Sequence, residues 1–360
     1  MWAVGRRSPT TCKEVDFSDV LLYFRLKLHL VTVMNKSFLH ANTDKNIYSL
    51  NSLKLTLSIM VVFIHTRIFL DNSVLLDTFT SNGFFRIAVP VFFIMNGYFL
   101  PSTKNSFKKW LIKSTCIYLS LTALYAFFWL DYSTLTTSIK TIAHALLAGY
   151  SHLWYIQAMI IAGLIIFYLK NSTPLLIISV CFFLFGFFIQ IYTSYQHTIN
   201  PDLPQRYSIY RNAFTIGLPF MFIGYLFRTK WTHMPQRTTI IICLFAIILF
   251  GIEIFINHTK FISQQPLSKS MSFDIYLSLI ILCPAVFLLF KNMKFGIKIN
   301  KNIPNYIYFF HPIPILLLNK KLASVNNIIY SALIIIITLA ISLTVIKITK
   351  TLHKSKVIGA

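Results

Sequence analysis

The sequence predicts an all-α integral membrane protein, a polytopic bundle of about ten transmembrane helices. Of its 360 residues, 56% are hydrophobic and only 12% are charged, and the mean hydropathy is +0.66. A water-soluble domain could not bury so much apolar surface. Apolar runs as long as a membrane-spanning helix recur along the chain, whereas the strands of a membrane barrel would be shorter and would alternate apolar with polar residues.

The predicted spans follow one another along most of the chain. Each is a run of mostly apolar residues bounded by charged or turn-forming residues. Two connections, 131–152 and 194–211, are longer than the others and are expected to be loops on the outer face. The spans are placed at residues 55–70, 84–100, 111–130, 153–169, 174–193, 212–228, 238–257, 273–290, 305–319 and 327–348.

The positive residues predict how the chain is oriented in the membrane. A net charge of +23 would suggest nucleic acid as the partner of a soluble protein. Here about three quarters of the 33 Lys and Arg lie on one side of the predicted spans, and the positive-inside rule makes that side cytoplasmic. Both termini are therefore predicted to be cytoplasmic, and no nucleic-acid partner is expected.

The chain divides into three predicted parts. Residues 1–47 form a cytoplasmic N-terminal segment, 48–350 the membrane domain, and 351–360 a cytoplasmic tail. Residues 18–33 are apolar but carry charges, which favours an amphipathic helix on the membrane surface over a span. A second interpretation stays open, in which translation starts at Met34 and the residues before it are not part of the protein.

Two titratable residues share one stripe of the first predicted span. Lys54 lies at its cytoplasmic end and His65 near mid-membrane. Eleven helical positions return to within about 20° of the same face and rise about 16 Å. Titratable groups inside a span are costly and usually mark a functional pathway. Equally, Lys54 can extend to lipid phosphates and His65 can be a polar contact between helices.

The second predicted span carries Arg86 just inside its outer end and Asn96 followed by Gly97 deeper in the membrane. Arg86 either extends outward to water or provides a fixed cation for a phosphate, a carboxylate or a developing oxyanion. Gly97 permits close approach of two helices, and the Asn96 amide can form a hydrogen bond between them. For Asn96 this structural role is favoured over catalysis.

Further polar residues lie at the outer ends of later spans. His152 and Trp154 open the fourth span, and Arg211 begins the sixth. Trp154 fits an aromatic belt at the membrane interface. His311 lies inside the ninth span, in a helix that Pro312 is expected to kink. The candidate contacts for an oxyanion, or for an acceptor substrate that receives a transferred group, are therefore Arg211, His152, Trp154, Asn96 and His311.

Four of these segments, in this order, resemble the acyltransferase-3 family of bacterial membrane acyltransferases, which includes O-antigen and other surface-polysaccharide O-acetyltransferases. The resemblance covers about residues 48–350. It rests on Lys54 and His65 with ten residues between them, FFRIAVPVFFIMNGYF, HLWYIQA and RNAFTIGLPFMFIGY, with YIYFFHP as a weaker fifth segment.

The resemblance implies roles for individual residues. His65 is the expected catalytic residue, either as general base or as a transient carrier of the acyl group. Lys54 and Arg86 are the expected donor-binding residues. The family often has Ser where this chain has Asn96, so a hydroxyl role is not expected at that position.

The implied activity is transfer of an acyl group, above all acetyl, from cytoplasmic acyl-CoA to a hydroxyl of a surface glycan or its lipid-linked precursor. The expected location is the bacterial inner membrane, among membrane lipids. Acetyl-CoA enters as a substrate; no permanently bound cofactor and no metal is expected. A transporter or flippase of lipid-linked glycans is the alternative, since it too needs polar residues inside a bundle. A structural or regulatory membrane protein ranks last, because it leaves Lys54 and His65 unexplained.

Overall fold

The computed structural model describes residues 45–131, 133–169, 173–200, 202–203, 206–231, 234–263, 272–293, 296–318 and 325–358. Those residues are mostly helical, and none of them is in a β-strand. The prediction of an all-α membrane protein is thereby confirmed. The amphipathic helix expected at 18–33, and the choice between Met1 and Met34 as the start, lie outside the described residues.

The described α-helices are numbered here in chain order. Their bounds are α1 Lys45–Thr66, α2 Val74–Thr80, α3 Ala88–Tyr98, α4 Lys104–Trp129, α5 Leu135–His144, α6 Trp154–Leu169, α7 Thr173–Ile199, α8 Leu218–Thr229, α9 Gln236–Asn257, α10 Leu279–Asn292, α11 Ile303–Phe310, α12 Pro312–Leu318 and α13 Asn327–Ile358.

Within the described part of the chain, seven helical stretches are long and apolar enough to cross a membrane. Each overlaps a predicted span. Three shorter apolar stretches lie at the remaining predicted positions. The number of ten crossings and the cytoplasmic placement of both termini stay predictions. The seven are Tyr48–Thr66, Val74–Tyr98, Lys104–Trp129, Ser151–Leu169, Thr173–Ile199, Gln236–Ile262 and Asn327–Thr351, and the three are Ala213–Thr229, Leu279–Asn292 and Ile303–Leu318.

Helix α1 differs from its predicted span at both ends. It begins ten residues sooner and ends at Thr66, because Arg67 adopts a left-handed backbone with φ of 49°. The Arg67 guanidinium donates to the buried Asp77 carboxylate, with Nε 3.0 Å from Oδ2. Hydropathy detects the lipid-facing part of a helix, whereas the backbone turns continue into polar residues. His65 therefore lies in the last turn of α1, while its depth in the membrane stays a prediction.

The expectation that 131–152 is a loop is wrong. Helix α5 and a π-helical turn at Ala145–Gly149 occupy much of it. Thr134 caps the start of α5, since its hydroxyl accepts from the Thr137 backbone N–H and the Thr137 hydroxyl accepts from the Thr134 N–H. The expected loop at 194–211 is also shorter than predicted, because α7 continues to Ile199.

The eighth predicted span begins later than expected, at Leu279, and residues 272–276 are not helical. A largely buried segment without regular secondary structure needs partners for its backbone groups. Gln190 of α7 supplies three: its side-chain oxygen accepts from the N–H groups of Asp274 and Ile275, at 2.8 and 2.9 Å, and its amide donates to the Ile275 carbonyl at 2.7 Å. Hydropathy could not distinguish this segment from a helix, because its apolar residues are buried in either conformation.

Two glycines let α3 cross α8 at very short range. A Cβ on Gly97 would overlap the Met221 carbonyl, and a Cβ on Gly224 would overlap the Ile94 carbonyl. Small residues at a crossing allow backbones to approach closely, which is how membrane helices gain packing energy. Helix α3 is buried along most of its length, and the candidate site lies against it and α1.

Candidate functional site

Three imidazoles from three different parts of the chain meet in one cluster. The His311 ring lies 5.1 Å from the His65 ring and 5.2 Å from the His152 ring, measured between centroids. His311 and His152 are buried, whereas the His65 side chain is exposed. His65 is therefore the accessible imidazole of the three, and the two buried imidazoles lie behind it.

The position of His311 follows from the proline that comes after it. Helix α11 ends at Phe310 and α12 begins at Pro312, so His311 occupies the joint between them. Proline has no N–H, and the Tyr308 carbonyl four residues earlier loses its usual helical donor. The His311 Nδ1 atom lies 2.9 Å from that carbonyl oxygen. The kink expected from the sequence is thus the feature that orients this histidine.

Aromatic side chains form the wall around the buried imidazoles. The Tyr308 hydroxyl donates to the His152 carbonyl at 2.5 Å, and the Tyr125 ring lies 5.1 Å from the His152 ring. The Asn96 amide donates to the Tyr155 hydroxyl at 2.5 Å and to the Phe92 carbonyl at 2.9 Å. Asn96 therefore links α3 to α6, in agreement with the structural role favoured from the sequence.

A second cluster consists of two arginines around one carboxylate. Arg86 and Arg211 both donate to Asp274, with Arg86 Nη1 2.5 Å from Oδ1 and Arg211 on Oδ2. Arg86 also donates to the Ser272 hydroxyl at 2.6 Å and to the Ser81 carbonyl at 2.8 Å. These three charged side chains carry a net charge of +1 between them.

The Asp274 carboxylate is ionised in this cluster. Burial alone would raise its pKa, but Arg211 and Arg86 together bring the pKa below its ordinary value. The Arg211 guanidinium also lies over two aromatic rings, 4.6 Å from the Tyr207 centroid and 6.0 Å from the Trp154 centroid. Arg86 and Arg211 are within electrostatic range of His65, so the charged cluster and the imidazoles belong to one site.

Lys54 lies at the other end of the site. Its ammonium is 5.8 Å from the Phe99 ring centroid and interacts electrostatically with Lys301, which also interacts with Lys113. Phe99 follows the C-terminal end of α3, whereas Arg86 precedes its N-terminal end. At 1.5 Å per residue these two positions are about 20 Å apart.

The structure therefore does not bring the two expected donor contacts, Lys54 and Arg86, together. It groups Arg86 with Arg211 and His65 instead. Trp154 lies under Arg211, and His152 and His311 lie behind His65. Lys54 and His65 share the continuous helix α1, so the separation of about 16 Å worked out from the sequence applies.

Sequence reasoning missed several residues of the site. Neither Asp274 nor Tyr155 was among the candidate residues predicted from the sequence. Gln190 was not considered, although a lone amide in the very apolar run FFLFGFFIQIY is itself a signal of a buried polar partner. Tyr308 gave no signal beyond lying near His311. In the part of the chain that the structure describes, no group of three or more His, Cys, Asp or Glu side chains is arranged to hold a metal ion.

A family model described as an acyltransferase domain, that of the acyltransferase-3 family, matches residues 47–347. The chain belongs to the acyltransferase-3 family. This membership supports an enzyme that transfers acyl groups, and together with the apolar helices it indicates a multi-pass membrane protein.

A comparison with curated proteins gives a shorter match for this acyltransferase-3 chain. An amino-acid racemase from Enterococcus faecalis is 34% identical over 145 residues, which cover 35% of this chain. The match spans only 20% of the racemase. No solved structure gives a significant match.

Proposed function

We propose that this acyltransferase transfers an acetyl group from cytoplasmic acetyl-CoA to a hydroxyl of a cell-surface glycan or its lipid-linked precursor, in the bacterial inner membrane. The observation that supports the proposal best is the setting of His65. Its imidazole is exposed, buried imidazoles lie behind it, and separate cationic groups lie at Lys54 and at Arg86 with Arg211.

The donor is proposed to enter from the Lys54 end. Lys54, Lys113 and Lys301 provide positive charge for the phosphates of CoA. The pantetheine arm of CoA is long and thin, so the thioester can extend along α1 for the roughly 16 Å to His65. The phosphates then stay at the lysines, and only the acyl end approaches the imidazoles.

The chemistry at His65 takes one of two courses. As general base, His65 accepts the proton of the acceptor hydroxyl while the hydroxyl oxygen bonds to the thioester carbonyl carbon; the carbon–sulfur bond breaks, and the proton passes to the CoA thiolate. As nucleophile, the His65 lone pair bonds to the thioester carbonyl carbon, the carbon–sulfur bond breaks and CoA leaves as the thiolate; the acceptor hydroxyl oxygen then bonds to the acyl carbon, the bond to the imidazole breaks, and the hydroxyl proton passes to the thiolate. Labelled acyl-enzyme that accumulates in the absence of acceptor would indicate the second course.

The acceptor is proposed to approach from the end of Arg86 and Arg211. Two guanidiniums share one carboxylate there, so the cluster has positive charge for an acidic glycan or for the oxyanion that forms at the thioester carbonyl. Trp154 and Tyr207, which lie against Arg211, offer apolar faces on which a sugar ring can stack. These are the groups we assign to acceptor binding.

The proposal is tested with inner-membrane vesicles and acetyl-CoA labelled in the acetyl group. Label is expected in extracted glycan or lipid-linked glycan with the unaltered protein, and not with His65→Ala. His144→Ala is the matched control, because His144 is an exposed histidine on α5, outside the imidazole cluster. Transfer that persists in His65→Ala would contradict the assignment, provided that both variants are present in equal amount.

A further inference from the structure

The hydrogen bonds of His311 determine which of its ring nitrogens carries the proton. Nδ1 lies 2.9 Å from the Tyr308 carbonyl oxygen and 3.2 Å from that of Ile307. Carbonyl oxygens only accept hydrogen bonds, so Nδ1 is the donor and carries the hydrogen. The Tyr308 carbonyl is free to accept because Pro312 has no N–H to offer it. The sequence His-Pro at this joint thus selects the Nδ1–H tautomer.

In that tautomer the Nε2 atom of His311 has a lone pair and no hydrogen. Nε2 is buried and has no hydrogen-bond partner within the described part of the protein. Leaving a buried acceptor without a donor is unfavourable, so a donor that can reach it is favoured. The rings close to His311 are those of His65, His152 and Tyr308.

Of these neighbours, the exposed His65 suits the role of donor. The hydroxyl of Tyr308 is already engaged with the His152 carbonyl. His152 is the competing donor, since both of its ring nitrogens also lack a partner among the described residues; unlike the buried His152, His65 is exposed and can rotate about its side-chain bonds. A centroid separation of 5.1 Å between His65 and His311 is close to that of two imidazoles joined by an N–H···N hydrogen bond.

We propose that His311 is a positioning residue, whose Nε2 accepts a hydrogen bond from His65 and so directs the lone pair of the other His65 nitrogen to the exposed side of the ring. The inference rests on the proposed function for its purpose. In the general-base course, that lone pair takes the hydroxyl proton, and the N–H on the far side of the His65 ring stays bonded to His311. Once the proton has passed to the CoA thiolate, His65 is neutral again. As nucleophile, His65 uses the same lone pair.

Two substitutions separate this role from a purely structural one. In His311→Asn, the amide reaches the position of Nδ1 and can keep the bond to the Tyr308 carbonyl, but nothing replaces Nε2. In His311→Gln, the longer side chain places an amide near the Nε2 position, where its oxygen can accept from His65. The first variant removes the acceptor, and the second restores one.

The readout is the rate at which diethyl pyrocarbonate modifies His65 in membranes, measured on the His65 peptide by mass spectrometry. The reagent reacts with an available imidazole lone pair and needs no acyl-CoA or glycan. His311→Asn is expected to lower the rate constant at His65 by up to about tenfold, the effect of losing one hydrogen bond. His311→Gln is expected to retain most of the rate, and exposed His144 in each sample is the internal reference.

Three results would overturn the inference. One is an unchanged rate at His65 in His311→Asn, and another is an equal loss in the Asn and Gln variants. The third is a loss at His65 in His152→Asn but not in His311→Asn, which would make His152 the partner. If the His311→Asn variant does not accumulate, the His311→Gln variant alone still tests the inference. A strongly reduced modification rate at His65 in folded His311→Gln would contradict it. Absence of acyl transfer in the unaltered protein would contradict the proposed function alone, because the modification rates do not depend on it.

Discussion

Replacing Asp274 by Asn should destabilise the protein by leaving two largely buried guanidiniums without their counter-charge. Asp274 accepts from both Arg86 and Arg211, and the exposed fractions of the side chains are 10% for Asp274, 10% for Arg86 and 21% for Arg211. Removing one partner of a buried ion pair costs about 3–5 kcal/mol. Because the Asn oxygen can still accept from one arginine, we expect a cost at the lower end, about 3 kcal/mol.

The assay is thermal unfolding of detergent-solubilised protein, followed by loss of the folded peak in size-exclusion chromatography. A loss of about 3 kcal/mol corresponds to a fall in the unfolding midpoint of roughly 5 °C or more. The double variant Asp274→Asn with Arg211→Gln tests whether the uncompensated charge causes the loss of stability. It returns the net charge of the cluster to +1, so it should be more stable than Asp274→Asn alone, despite carrying one more substitution.

The pH dependence of this effect follows from the lowered pKa of Asp274. Burial would raise that pKa, but Arg211 and Arg86 hold it below its ordinary value. A carboxyl group whose pKa falls on folding contributes stability above its unfolded pKa of about 3.9, and loses it as the pH falls through the folded value. Asp274→Asn should therefore cost the same at pH 6 and pH 8. An unchanged midpoint, or a double variant less stable than the single one, would refute the reasoning.

Three further substitutions test other parts of the structure. Lys54→Ala should raise the KM for acetyl-CoA about tenfold with kcat retained, and Lys54→Arg should restore it; an unchanged KM contradicts the donor role. Gly97→Ala should lower the unfolding midpoint, since its methyl group meets a backbone carbonyl of α8, whereas Gly251→Ala, with open space around it, should not. Gln190→Leu should also lower the midpoint, by removing three hydrogen bonds to the non-helical segment 272–276; Gln196→Leu on the same helix, which removes one hydrogen bond to Tyr192, is the control.

The membrane helices were predictable because lipid imposes a simple rule on sequence. Any segment in hydrocarbon must be apolar and must satisfy its own backbone hydrogen bonds, and long apolar helices meet both demands. The same rule does not predict where a helix begins or ends when that end lies in water or inside the protein. It therefore missed the start of α1 at Lys45, the helix α5, and the non-helical segment that is bonded to Gln190.

The candidate site was predictable as separate residues but not as an arrangement. His65, His152 and His311 each attracted attention as titratable groups in apolar surroundings. The three side chains come together only because distant parts of the chain pack against one another, and a local sequence pattern does not predict that packing. The link between Arg86 and Asp274 crosses 188 positions, for example. The sequence His311-Pro312 did predict a kink, and the orientation of the His311 ring follows from it.

The most direct test of the central claim is mass analysis of surface glycan from cells with the gene intact, with the gene deleted, and with His65→Ala. The proposal predicts glycan of full length in all three, with an acetyl increment that is present only with the intact gene. An increment that persists in His65→Ala would contradict the catalytic role of His65. Glycan that is truncated or absent after deletion would contradict acyl transfer and support a flippase, and glycan of identical mass in all three would contradict a glycan acceptor.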